Sequence, residues 1–316
     1  MKKEEFYYAS KDNGSHIHAL RYTPDDGNVR AVVQIVHGMA EYVERYEAFA
    51  RHLADRGIVV TGGDHLGHGG SRGEAGPGYF CSGDPATVVV QDVHSLKELT
   101  RAQYPNVPYI ILGHSMGSFI LKNYLCTYGE GLDGAIVMGT GMQPGALVAA
   151  GKLMVALCRM FKGEKKAGDL LNVIAFGSYN NRFKPAKTQF DWLSKDEAVV
   201  DRYVADPLCG FVFTVNGFST LFELIHRSQK KENLKKLPGE LPVLIVSGEE
   251  DPVGEFGAGV RKTEKAFCEA GMQNVTCKLY PTDRHEILNE TDREEVMEDI
   301  LRWMEERVIN CKNLKP

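Results

Sequence analysis

No two of the seven cysteines (Cys81, Cys126, Cys158, Cys209, Cys268, Cys277 and Cys311) stand in a C-x-x-C pair. Zinc fingers and redox dithiols need closely spaced thiols, and a disulfide scaffold usually has an even count, so neither is expected. Positive charge is not in excess. Thirty-seven Lys and Arg face 42 Asp and Glu, a net charge of -5. Nucleic acid needs a concentrated positive field and is not an expected partner. A long apolar run is also missing. The most apolar stretch, 142–161, is broken by Pro144, Lys152 and Arg159, too often for a membrane span. Met1-Lys2-Lys3 is followed by Glu4 and Glu5 rather than an apolar signal-peptide core. Free thiols and a cytoplasmic location are the expectation.

What is present is close to average: 43% hydrophobic and 25% charged residues over 316 positions. A chain of that kind can bury a large core without staples. Apolar runs without polar alternation at 32–36, 58–60, 109–112, 135–138 and 243–246 suit strands covered on both faces. Helical spacing fills 44–56, 86–103 and 117–128 between them. Strand–helix alternation predicts a doubly wound, mostly parallel α/β sheet. Residues 17–22 alternate polar and apolar, predicting an antiparallel edge strand. The alternation stops at Pro144, which divides the chain into a first core part (1–143), a helical cap (144–218) inserted after the sixth strand, and a second core part (219–316).

The segment Gly113-His114-Ser115-Met116-Gly117 is a G-x-S-x-G motif at a strand end with a helix behind it. Two glycines permit a tight turn that lifts the Ser115 hydroxyl above the sheet. The bland alternative is a serine that merely caps the helix. A nucleophilic hydroxyl needs a base, and the base an orienting acid, in the chain order Ser, Asp or Glu, His. His285 is the only histidine after Asp251. Asp251 follows the strand at 243–247 and is the favoured acid; Glu249 and Glu250 are its rivals. An oxyanion needs preset backbone N–H donors. Met116, after the nucleophile, and Met39, in the glycine turn after strand 32–36, are the candidates. His37 reads as a brace for that turn. The run Gly62 to Ser71 holds Asp64, His65 and His68, but a loop supporting the turn explains it better than a metal, so no metal ligand is assigned.

Together these segments resemble the monoacylglycerol lipase and lysophospholipase-like branch of the α/β-hydrolase superfamily. The matching pieces are His37-Gly38-Met39-Ala40-Glu41 with Arg45-Tyr46, Asp64-His65-Leu66-Gly67-His68-Gly69 with Ser71, and the Ser115 motif. Asp206-Pro207-Leu208, Asp251-Pro252 and Arg284-His285-Glu286 complete the set. The resemblance implies an α/β-hydrolase fold, hydrolysis of ester-linked acyl chains, no cofactor, and a cap whose apolar groove holds the chain. Leu147, Met154 and Phe161 are the groove candidates, from an apolar stripe on the first cap helix. The expected partner is a small acyl ester, with presentation at a membrane or micelle surface left open, and oligomeric state is unread. In the implied mechanism Ser115 attacks the carbonyl, His285 takes its proton, and Asp251 holds the imidazole. Water then hydrolyses the acyl-enzyme. The same triad would serve a short-chain esterase, an acyltransferase or a halide- or peroxide-dependent enzyme. A catalytically silent binding protein is the further alternative.

Overall fold

A computed structural model describes residues 1–312. Eight strands form one sheet: β1 (Lys2–Ala9), β2 (His16–Thr23), β3 (Ala31–Val36), β4 (Ile58–Gly63), β5 (Tyr109–His114), β6 (Gly134–Met138), β7 (Val243–Gly248) and β8 (Val275–Tyr280). Their spatial order is β1-β2-β4-β3-β5-β6-β7-β8. The pairs β1–β2 and β2–β4 are antiparallel, and every pair from β4 to β8 is parallel. Successive side chains of a strand point to opposite faces. Val32, Ile111, Ala135 and Val243 accordingly enter one apolar core, and Val33, Ile110, Ile136 and Leu244 the other. Both cores are covered by helix, which is why these strands carry no polar alternation.

The edge differs from expectation. Residues 17–22 are antiparallel but lie second in the sheet, because β1 pairs outside them with Tyr7 opposite His18. β1 begins Lys2-Lys3-Glu4-Glu5 and is largely exposed. Charge on an edge strand discourages pairing with another chain, and the same charge hides the strand from a hydrophobicity reading.

The helices that cover the sheet before β6 are α1 (Glu47–Ala54), α2 (Pro85–Gln103) and α3 (Met116–Tyr128). Between β6 and β7 come α4 (Gly145–Lys162), α5 (Asp169–Phe176), α6 (Glu197–Ala205), α7 (Val215–Ser228) and α8 (Lys231–Leu234). After β7 come α9 (Ala258–Glu269) and α10 (Arg293–Met304). The expected cap limit at residue 218 cuts through α7, whose start is marked by the Thr214 side chain accepting the Gly217 N–H. α7 packs on α2 and α3, and α4 rests on α7 through Val148, Gly151 and Val155. A Cβ on Gly151 would come 2.6 Å from the Phe222 ring, so the two helices approach closely. Among the described residues no helix is long and apolar enough to cross a membrane.

One charge sits inside this frame. Lys122 on α3 is 2% exposed; its Nζ donates to the Gly141 carbonyl at 2.9 Å and lies 4.4 Å from the Phe119 ring centre. Burial lowers its pKa to about 7. The unfolded chain holds that proton up to about pH 10.4. The unfolded state therefore binds more protons between those values, and the penalty, roughly 4 kcal/mol, is full below pH 7 and fades toward pH 10. Lys122→Met is expected to raise the melting temperature at pH 6 by roughly 3–6 °C, and by less at pH 9.5. A lower melting temperature at pH 6 would show that the carbonyl bond outweighs burial of the charge.

Candidate active site

Ser115 is the single residue between β5 and α3, with φ 55° and ψ -120°. A non-glycine residue there stores strain of order 1–3 kcal/mol. The turn can be this tight because its neighbour has no side chain. A Cβ on Gly117 would lie 1.9 Å from the Val36 carbonyl oxygen. The Ser115 hydroxyl makes no capping bond to α3. It is half-buried, while Gly113 to Ser118 are otherwise buried. The capping alternative is therefore unoccupied, and the hydroxyl is left at the wall of a cavity.

Asp251 follows β7 and His285 follows β8, both in loops at the carboxyl edge of the parallel strands, where such sheets gather functional side chains. His285 Nδ1 lies 3.0 Å from Asp251 Oδ2. The carboxylate is fully buried and has its other donors supplied: the Ser247 hydroxyl at 3.0 Å on Oδ2 and the Val253 N–H at 2.8 Å on Oδ1. An ionised carboxylate only accepts, so the imidazole proton sits on Nδ1 and Nε2 keeps its lone pair. Glu249, a rival for the role, faces Arg261 at 3.8 Å instead. His285 is packed between rings, with the Trp192 centre 5.1 Å away and that of His114 4.7 Å away. Ser115 and His285 border the same cavity.

Met116 is the first residue of α3, so the helix offers its N–H no acceptor. Gly38 abuts the nucleophile: a Cβ there would meet Ser115 Cβ at 3.0 Å. Met39 and Met116 line the cavity with it. Behind this turn His37 Nδ1 bonds the Gly38 carbonyl at 2.8 Å, and Nε2 accepts the His65 N–H at 3.0 Å. His65 Nε2 meets the His37 carbonyl, and His68 Nδ1 that of Leu66. Asp64 is taken up by His18 and by the N–H groups of Val43 and Gly70, each at 2.8 Å. The remaining His68 nitrogen faces a wall of Phe80, Phe211 and Phe213, and burial holds that imidazole neutral, with a pKa of about 3. Four ring nitrogens of His37, His65 and His68 are thus spent on backbone, and His68 Nε2 has no partner among the described residues. Among the described residues no group of three or more His, Cys, Asp or Glu is placed to hold a metal ion.

The cavity has a volume of about 590 Å³. Beyond Ser115 its wall is mostly apolar, with Leu147, Met154, Leu171, Phe222 and Ile225, and with Gln143 and Asn172 among its polar members. Leu147 and Met154, two of the groove candidates, border this cavity. Phe161 does not. It is 79% exposed on the last turn of α4, away from the cavity. Phe161 shares a helical row with Leu147 and Met154, but it stands two turns beyond Met154, past the residues that line the cavity.

Several contacts around the site escape a sequence reading. Ser247 lies four residues before Asp251, at the end of β7, and looks like ordinary strand. Trp192 comes from the cap. Glu41, Arg45, His114 and Glu286 form a buried ionic cluster behind the turn. The i, i+4 spacing of Glu41 and Arg45 was the available signal for the cluster.

The family model described as serine aminopeptidase, S33 (Hydrolase_4), matches residues 27–292. A monoacylglycerol lipase of Mycolicibacterium smegmatis is 26% identical over 90% of this chain and 90% of its own. The monoglyceride lipase of Homo sapiens is 26% identical, over 94% and 89% respectively. A solved thermostable carboxyl esterase from Bacillus coagulans is 30% identical with a TM-score of 0.89, covering 97% of this chain and 99% of its own. With its sheet order, strained serine turn and buried Asp–His pair, this chain belongs to the S33 family of α/β-hydrolase-fold serine hydrolases.

Proposed function

We propose that the protein hydrolyses monoacyl lipid esters, monoacylglycerols or lysophospholipids, through an acyl-enzyme on Ser115. In this mechanism His285 Nε2 takes the serine proton as the hydroxyl attacks the ester carbonyl. The N–H groups of Met39 and Met116 receive the oxyanion. The alcohol leaves with the proton from His285, which then activates water against the acyl-enzyme. The observation that carries the substrate class is the cavity, mostly apolar, bordered by Ser115 and in the size range of ligand sites. The similarity to monoacylglycerol lipases supports it.

The outer surface of the cap points the same way. Of the eleven large exposed apolar side chains among the described residues, five lie on α4 and α5 outside the cavity lining: Leu153, Leu157, Met160, Phe161 and Leu170. Lys162 ends α4, and Lys165 and Lys166 lie in the segment joining the two helices. An apolar face rimmed by cations suits a lipid–water interface, where such substrates reside. A peptide amine would instead need a free carboxylate in the cavity. The two that border it, Glu41 and Glu286, are both held by Arg45 at 2.7 Å.

Each buried CH₂ contributes about 0.8 kcal/mol, so four more carbons are worth up to roughly a hundredfold in kcat/KM until the groove is full. Steady-state rates on C2 to C16 esters of one alcohol are expected to climb from acetate to medium or long chains. The likeness to a carboxyl esterase favours the second reading. If acetate esters are the best substrates, the cap is a small-substrate lid and the protein is a general esterase.

A further inference from the structure

The ionic cluster behind the oxyanion turn has no part in the mechanism above, yet each of its members grips a different catalytic segment. Glu41 is 3% exposed. Its Oε1 accepts from the Gly38 N–H at 2.6 Å and the Tyr46 hydroxyl at 2.9 Å, and stands 3.2 Å from His114 Nδ1. Its Oε2 accepts from Arg45 at 2.7 Å. Arg45 then forks onto Glu286, with its two nitrogens 2.8 and 2.7 Å from the carboxylate oxygens. His114 Nε2 reaches the carbonyl of His285 at 3.2 Å. The turn that carries Met39, the residue before Ser115 and the residue after His285 are thus tied to one carboxylate and its guanidinium partner.

The protonation state follows from the acceptors. A carbonyl oxygen only accepts, so His114 Nε2 carries a proton. Its Nδ1 lies 2.9 Å from the Tyr46 hydroxyl and 3.2 Å from Glu41 Oε1, so the ring is held between those two groups and the His285 carbonyl. Burial opposes the charge on His114, but the hydrogen bond to Glu41 and the nearness of Glu41 and Glu286 raise its pKa above the ordinary value. Glu41 is likewise opposed by burial and held well below the usual carboxylate range by His114 and Arg45. The other titratable neighbours are His37 in the turn, the His285 ring, and Tyr203 and Cys209 beside Arg45.

We propose that Glu41 is a positioning residue for hydrolysis: by holding the Gly38 amide and the His114 ring together, it sets the Met39 N–H against Ser115 and His285 before substrate arrives. The proposal rests on the reading of Met39 and Met116 as the oxyanion hole. Glu41 itself touches no reacting atom. Its removal should therefore weaken binding of the tetrahedral oxyanion while leaving the apolar groove intact.

The test compares wild type with Glu41→Gln by kcat, KM, and affinity for two probes. One is a long-chain alkyl trifluoromethyl ketone, whose hemiketal on Ser115 places an oxyanion in the hole. The other is a long-chain fatty alcohol, which fills the groove only. Loss of one oxyanion donor typically lowers kcat by about 10²–10³-fold. For Glu41→Gln a loss of about 10²-fold in kcat is expected, with an equal loss of ketone affinity and with KM and alcohol affinity within about threefold of wild type. Tyr46→Phe, which keeps the charge and removes one donor to Glu41, is expected to show the same pattern at about 3–10-fold, should the first variant fold poorly. Retention of more than a third of wild-type kcat in Glu41→Gln overturns the proposal. So does a parallel fall of ketone and alcohol affinity in both variants, which marks a purely structural role. If wild-type protein binds the ketone no more tightly than the alcohol, the oxyanion-hole reading fails and the positioning role falls with it.

Discussion

Ser115→Ala is expected to lower kcat/KM on a monoacyl ester by roughly 10⁴-fold or more, with a melting temperature within about 2 °C of wild type. The two halves of that expectation have separate grounds. Turnover fails because no other hydroxyl stands at the wall of the cavity on a turn of this shape with the Asp251–His285 pair beside it. The fold survives because the hydroxyl makes no capping bond and its neighbours hold the turn. Gly117 against Val36 and the Ser115 N–H to the Met138 carbonyl, at 3.0 Å, do not involve the side chain. Alanine also carries the same Cβ at φ 55° that serine does, so no new strain arises. Steady-state assays and thermal melts of the purified variant check both. A variant with a tenth of wild-type activity would remove Ser115 from the chemistry.

Asp251→Asn is expected to reduce kcat by about 10³–10⁴-fold, nearly as much as loss of the base itself. The carboxylate receives three donors and gives nothing: the His285 ring, the Ser247 hydroxyl and the Val253 N–H. An amide cannot accept all three: its oxygen serves His285 and Ser247 at one position or the Val253 N–H at the other, and its NH₂ faces what is left. If it faces His285 Nδ1, the ring proton moves to Nε2, and the nitrogen turned to Ser115 can no longer accept. If the amide flips, the Val253 N–H loses its acceptor and the loop shifts. A stability loss of about 1–3 kcal/mol accompanies the change, since a buried donor is left unpaired. Single-turnover rates with a chromogenic ester and denaturant titration separate the two effects. Wild-type kcat in Asp251→Asn would mean that another group orients the base.

How much of this was legible in the sequence depended on whether a residue's neighbours were close along the chain. The turn at Ser115 is entirely local, so two flanking glycines and a preceding apolar run sufficed. Strand position and chain order pair Asp251 with His285, and the fold brings the two within 3.0 Å although 34 residues separate them. β1 was missed because Lys2, Lys3, Glu4 and Glu5 make it polar: an edge strand is held by backbone pairing to β2, which composition does not report. Phe161 lies off the cavity because a seven-residue row gives a direction around a helix, not how far along that helix a cavity extends. The cap limit at 218 overlooked the Thr214 cap. Glu41 was noticed in its motif but had no role, since its partners Glu286 and His114 lie on segments that meet only in the fold. Ser247 shared that obscurity.

The central claim is that one serine, on a turn at the head of α3, carries acyl transfer from a lipid-like ester to water. The most direct measurement is peptide mapping by mass spectrometry after partial inactivation with a long-chain alkyl fluorophosphonate, taken at several times alongside residual activity. The account predicts one phosphonyl adduct per chain, on the peptide containing Ser115. Its fraction should match the fraction of activity lost, and saturating monoacylglycerol should slow its formation. Activity lost without that adduct, or retained when Ser115 is fully modified, would contradict it.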